Sequence, residues 1–149
     1  MTISASVRVP GDWSLDDSLP GTFVALAPEL EGALFRPTIV LTSAPTSEPV
    51  HVVSSEAIAS ILASGLRAQV LSVTAEGLHG LSDRSIEYGY DGDRTWICVR
   101  HWLAVVEDQQ VHVTGSCAVE DFDDFGPVFR SVLATFQTEQ TSSQGQHRE

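Results

Sequence analysis

The chain has 149 residues and a formal net charge of −12, set by 20 acidic residues against eight basic ones, all of them arginine. That length suits one domain with a core large enough to dispense with metals and disulfides, and the charge repels phosphate backbones and anionic membranes, so nucleic-acid binding is not expected. With 42% hydrophobic and 19% charged residues, the chain is too apolar to be disordered.

The opening MTISASVRVPGDW has no cationic start, long apolar run or small-residue cleavage site, so no secretory signal and a cytoplasmic location are expected. No segment approaches the roughly 18 apolar residues of a membrane span. Two cysteines outside a CxxC motif make no disulfide framework.

In chain order, ISASVRV alternates Ile3, Ala5, Val7 and Val9 against Ser4, Ser6 and Arg8, the pattern of a half-buried strand. PGDW turns the chain. TFVALAP and TIVLTSAP, each closed by proline, predict the second and third strands. In SSEAIASILASGLR, Ile58, Ile61, Leu62 and Leu66 recur at helical spacing behind Ser54 or Ser55 as N-cap, and Gly65 loosens the end. AQVLSVTAEG predicts a fourth strand and GLHGLSD a loop. RSIEYGY, TWICVRHWLAVV and VHVTGSCAVE, joined by DGD and EDQQ turns, predict three consecutive antiparallel strands.

DFDDFGPVFRSVLATFQ predicts a closing helix with Phe125, Phe129, Val132, Leu133 and Phe136 on one stripe. Pro127 suits its first turn, and Asp121, Asp123 and Asp124 lie near its positive N-terminal end. The polar, aperiodic segment from Thr138 predicts a disordered tail over 138–149 beyond a single domain at 1–137. The fold class is α+β, with a central, mainly antiparallel sheet of about six to seven strands flanked by helices.

WICVRHWLAVV holds the groups best suited to chemistry. Strand alternation puts Trp96, Cys98, Arg100, Trp102, Ala104 and Val106 on one face and Ile97, Val99, His101, Leu103 and Val105 on the other. Both faces are apolar, as in a central strand covered by a helix on each side. Cys98 and His101 then face opposite ways and cannot form a nucleophile pair.

A two-residue turn at Asp108 and Gln109 would set Arg100 opposite Cys117 and Cys98 opposite Val119, leaving the cysteines as diagonal, free, buried thiols. It would also hold His101 and His112 roughly 13 Å apart, at about 3.3 Å per residue, too far to share a metal ion. No metal or cofactor is expected. Arg100 between two tryptophans is either a structural cation–π contact or an anchor for a ligand or peptide. The carboxylates of EDFDD could pair for acid–base work, but crowding at a helix N-terminus and on a solvated turn explains them without chemistry, whether as a cap or as a docking surface.

FRPTIVLT at 35–42, a helix at 54–65 and the closing VTGSCAVEDFDDFGPVFRSVLATF at 113–136 resemble the PsbP-like superfamily, nearest its bacterial DcrB-like and LpqN-like proteins, over residues 1–136. The resemblance implies an α/β/α sandwich and a non-enzymatic role as an accessory, adaptor or chaperone-like binding protein, with no catalytic residue to carry over. The chain departs from the lipoproteins of that group in lacking a signal peptide and a lipidation cysteine near its start. That turns the analogy toward intracellular adaptors and effector chaperones.

The resulting expectation is a non-catalytic cytoplasmic domain that binds a protein partner, a basic one by charge, through Trp96, Arg100, Trp102, Asp121, Asp123 and Asp124. A role in secretion of an effector fits that reading, and a homodimer is left open. The alternative is a small-ligand or lipid carrier with Trp96, Arg100 and Trp102 in a pocket wall; a small hydrolase ranks third.

Overall fold

β7 (Trp96–Val106), the strand with two apolar faces, lies in the interior of a sheet. The computed structural model describes residues 2–141. Along the chain, β1 (Thr2–Ser6), β2 (Ser14–Asp16), β3 (Thr22–Leu26) and β4 (Thr38–Pro45) precede α1 (Val50–Ala63). Then follow β5 (Gln69–Thr74), β6 (Ser82–Asp91), β7, β8 (Gln109–Ala118), α2 (Phe122–Ala134) and β9 (Gln137–Thr141). Seven strands form one antiparallel sheet in the order β2-β3-β4-β8-β7-β6-β5.

The two faces of β7 belong to two cores. Trp102 and Ala104 pack with Ile39, Leu41 and Val113 beneath α2, while Leu103 packs with Ile86 beneath Val53 and Ile61 of α1. The stripe expected on the closing helix is the stripe that buries: Phe125, Phe129, Val132, Leu133 and Phe136 all face the sheet. Burying each phenylalanine contributes roughly 2–3 kcal/mol. Gly115 lets Phe129 approach the sheet, since a Cβ there would meet Cδ2 of the ring at 2.3 Å.

Several boundaries differ from the sequence reading. α1 begins at Val50, after Pro49 in an extended conformation, so Ser54 and Ser55 lie inside the helix rather than capping it. The Ser55 hydroxyl instead donates to the His51 carbonyl at 2.8 Å, the back-bond that lets serine sit in a helix. Gly65 does mark the end, with φ of +77° just past Ser64. α2 starts at Phe122, which puts Pro127 in the helix interior instead of its first turn. β2 is an additional short edge strand.

β1 does not join the main sheet. It pairs with β9 in a separate two-stranded ribbon, Ser6 opposite Gln137 and Ala5 opposite Thr138. The segment from Thr138 to Thr141, expected to be tail, is therefore strand; residues 142–149 of that expected tail lie outside the described residues.

The β7–β8 hairpin turns one residue earlier than Asp108 and Gln109, which shifts every cross-strand partner by two. Val106 pairs with Gln109, so Glu107 and Asp108 form the turn, with Glu107 at φ 53°. Arg100 consequently faces Gly115, and Cys98 faces Cys117 directly.

Candidate functional site

The register decides where the chemistry-bearing residues of β7 go. Cys98 and Cys117 are direct cross-strand neighbours rather than diagonal ones, and both thiols are free; Cys117 is buried and Cys98 half-buried. Burial, with Cys98 and Asp121 nearby, pushes the Cys117 thiol up to about 12, and burial raises Cys98 as well. Neither is an activated nucleophile, and His101 points from the opposite face.

His101 and His112 meet instead of standing apart. Nε2 of His101 lies 2.7 Å from Nδ1 of His112, whose Nε2 contacts Gln110 Oε1 at 2.8 Å. Burial, and then the neighbouring ring, lowers His101 to about 4; burial also lowers His112. Both are neutral at pH 7. Among the described residues, no group of three or more His, Cys, Asp or Glu side chains could hold a metal ion.

Trp96, Arg100 and Trp102 do not form a common pocket wall. Trp102 is 0% exposed, edge-on to Phe136 at 4.8 Å between centroids, and its Nε1 donates to Asp83. The Trp96 indole lies over Gly89, where a Cβ would meet Nε1 at 2.1 Å. Arg100 lies 5.4 Å over the Phe122 ring and donates through Nε to Glu87 Oε1 at 3.2 Å, so its charge is satisfied within the sheet. The aromatic partner of Arg100 is thus Phe122 rather than either tryptophan.

Asp83, which sequence reasoning passed over, organises the loop before β6. Only 1% exposed, its carboxylate accepts the backbone N–H groups of Glu76, Gly77 and Leu78 and the Trp102 indole, all within 2.9 Å. Burial by itself would raise its pKa, but these four donors outweigh it and hold the carboxyl below its ordinary range.

Two of the three aspartates at the head of α2, Asp121 and Asp124, do line a cavity; Asp123 does not. It is an open groove of about 870 Å³ between the start of α2 and the β3–β4 loop. Its apolar lining includes Leu30, Ala33, Phe35, Phe125 and Val128, and its carboxylates are Asp12, Glu29, Glu31, Asp121 and Asp124, with Arg36 the single arginine. Leu30, 74% exposed at the loop apex, is an apolar side chain presented to solvent between two glutamates.

The loop is braced from within. Arg36 donates through Nε to the Ala27 carbonyl and pairs with Glu29 at 3.5 Å, while Ala27 N–H donates to the Pro37 carbonyl at 3.0 Å. Among the described residues, Glu29 is the only groove carboxylate in an ion pair. The one sequence signal for this wall was the run PELEG, a leucine between acids in a proline-bounded loop.

A groove of this kind offers apolar anchorage and a negative rim. Among the described residues, no helix is long and apolar enough to cross a membrane.

No family model matches the chain, and no curated protein matches it. Solved structures do. LpqN of Mycobacterium tuberculosis, involved in cell envelope biogenesis, aligns with a TM-score of 0.72 at 14% identity, over 93% of this chain and 85% of LpqN. A Pseudomonas aeruginosa protein of unknown function aligns at 0.69 and 12% identity, over 88% of this chain and 100% of that one. Cyanobacterial PsbP from Synechocystis aligns at 0.65 and 12% identity, over 92% of each chain. At such identities the likeness is one of fold. With its seven-stranded antiparallel sheet between two helices, this chain has the PsbP-like fold.

Proposed function

We propose that this chain is a non-catalytic binding protein, an adaptor or chaperone-like accessory protein of the cytoplasm, whose groove at the head of α2 takes a basic, apolar-bearing segment of a partner protein. The groove itself carries the reading: five carboxylates against one arginine surround an apolar floor with Leu30 exposed at its edge. Exposed apolar surface rimmed by charge is the surface pattern of a docking site. The acidic rim would steer a cationic segment and select against acidic ones.

A synthetic peptide alternating arginine and leucine is the probe. Its fluorescence anisotropy should show saturable binding that weakens with salt and weakens about tenfold or more in Glu31→Lys/Asp124→Lys, while Asp17→Lys, away from the groove, leaves it unchanged. Equal binding by all three proteins overturns the reading. The second reading, a small-ligand carrier, is favoured by the groove volume of about 870 Å³, within the range of small-molecule sites. Native mass spectrometry of freshly purified protein would then show a retained small mass that Leu30→Asp loses.

A further inference from the structure

We infer that β5 is a self-association edge, through which a second copy of this chain pairs antiparallel and continues the sheet. Among the described residues β5 ends the strand order, and only its β6 side is paired. In an antiparallel ladder, alternate residues aim both backbone groups away from the neighbour, which leaves β5 a row of donors and acceptors for another strand.

The two edges of the sheet are treated differently. β2, at the other end, is three residues long and carries Asp16, with Asp17 following. Short length and charge are the usual protections of an edge. β5 has six residues, QVLSVT, with neither charge nor proline. Its single irregularity is a break in register between Val70 and Ser72, which leaves Leu71 unpaired with β6 and 64% exposed. A bulge alone would blunt the edge, and a polar residue would serve it better than leucine. Val73 and, on the preceding helix, Leu62 are also exposed.

Charge argues for a second copy as the occupant. A chain at −12 repels itself wherever its acids meet, yet from Ala57 to Ala75 the only charged side chain is Arg67. The nearest carboxylate on the adjoining strand, Glu87, is paired with Arg100. Two such edges can approach without acid meeting acid. An antiparallel pair of identical strands is also self-complementary about a two-fold axis, the closed arrangement that soluble homo-oligomers favour.

Sedimentation equilibrium of the full chain tests this. Wild type should show a reversible monomer–dimer equilibrium below about 100 µM. Leu71→Lys should raise the dissociation constant about tenfold or more even though it lowers the net negative charge, whereas Leu30→Lys, the same substitution in the groove loop, should leave it unchanged. Hydrogen exchange on wild type provides the check that needs no variant: amides of β5 should exchange more slowly in concentrated than in dilute samples. A monomer throughout the concentration range, an unchanged constant in folded Leu71→Lys, or β5 amides indifferent to concentration overturns the inference. It is independent of the groove, so either proposal can fail alone.

Discussion

The indole Nε1 of Trp102 donates to Oδ2 of Asp83 at 2.9 Å, and neither residue has more than 1% of its surface in water. This bond joins β7 to the loop that Asp83 holds through three backbone amides. Asp83→Ala would leave four donors without their acceptor, the Trp102 indole fully buried and the Glu76 and Gly77 amides in exposed residues, each costing roughly 1–3 kcal/mol where water does not replace it. The expected loss is about 3 kcal/mol or more of unfolding free energy. Trp102→Phe removes one donor and part of a fully buried ring, and should cost about 2 kcal/mol or more through the lost bond and the cavity left behind. Urea denaturation of the two variants and the double variant checks it, the double costing less than the sum of the singles.

Stability should fall as pH drops from about 6.5 toward 4. His101, at about 4 when folded, refuses a proton that the unfolded chain, with its ordinary 6.5, takes up across that interval. His112, also lowered, adds in the same direction. The shift bounds the effect of His101 at about 3 kcal/mol. Asp83 acts lower: its contribution is present above the ordinary carboxylate value of 3.8 and is lost as pH falls through its depressed folded value. Denaturation midpoints measured from pH 7 to 4 should show the decline, and His101→Gln should flatten it relative to wild type.

Gly115→Ala should destabilise by roughly 1–3 kcal/mol, the usual cost of overpacking. The obstacle is the ring of buried Phe129, which a flexible side-chain end could have avoided. Phe129→Leu, destabilising by itself, should relieve part of the alanine's cost, so thermal unfolding of the four combinations should show coupling.

Native thiols should be slow to alkylate at pH 7.5. The raised pKa of Cys98 and the value of about 12 for Cys117 leave little thiolate, and burial shields Cys117 further. Labelling followed by mass spectrometry should run about tenfold or more slower than in urea, where both cysteines react fully.

What the sequence disclosed and what it withheld follow one physical division. The two apolar faces of β7, the stripe on α2 and the sense of the sheet were legible because alternation of faces and helical spacing are written locally. Register was not. A slip of one residue would have reversed every side chain, but a slip of two keeps each on its face, so the pattern in EDQQ and its flanking strands fits either turn. That slip of two brought His101 to His112 and Cys98 to Cys117. The start of α1 was missed because Pro49, the residue before the helix, competes as a boundary with serines that sit comfortably inside it. The groove was invisible for another reason: the loop from Ala27 to Pro37 has no periodicity, and its position over α2 depends on the Arg36 contacts and the register of β3 with β4.

The ribbon of β1 and β9 couples the two ends of the described chain, and so it bears on the order of folding. Closing a loop that includes the entire sheet and both helices costs more chain entropy than any hairpin within it, while the reward is one five-residue pairing. The ribbon should form after the β6–β7–β8 meander, whose neighbours in space are neighbours in sequence, and should be the first pairing to open. Its amides would report the earliest departure from the native state, well before the cores beneath α1 and α2 yield.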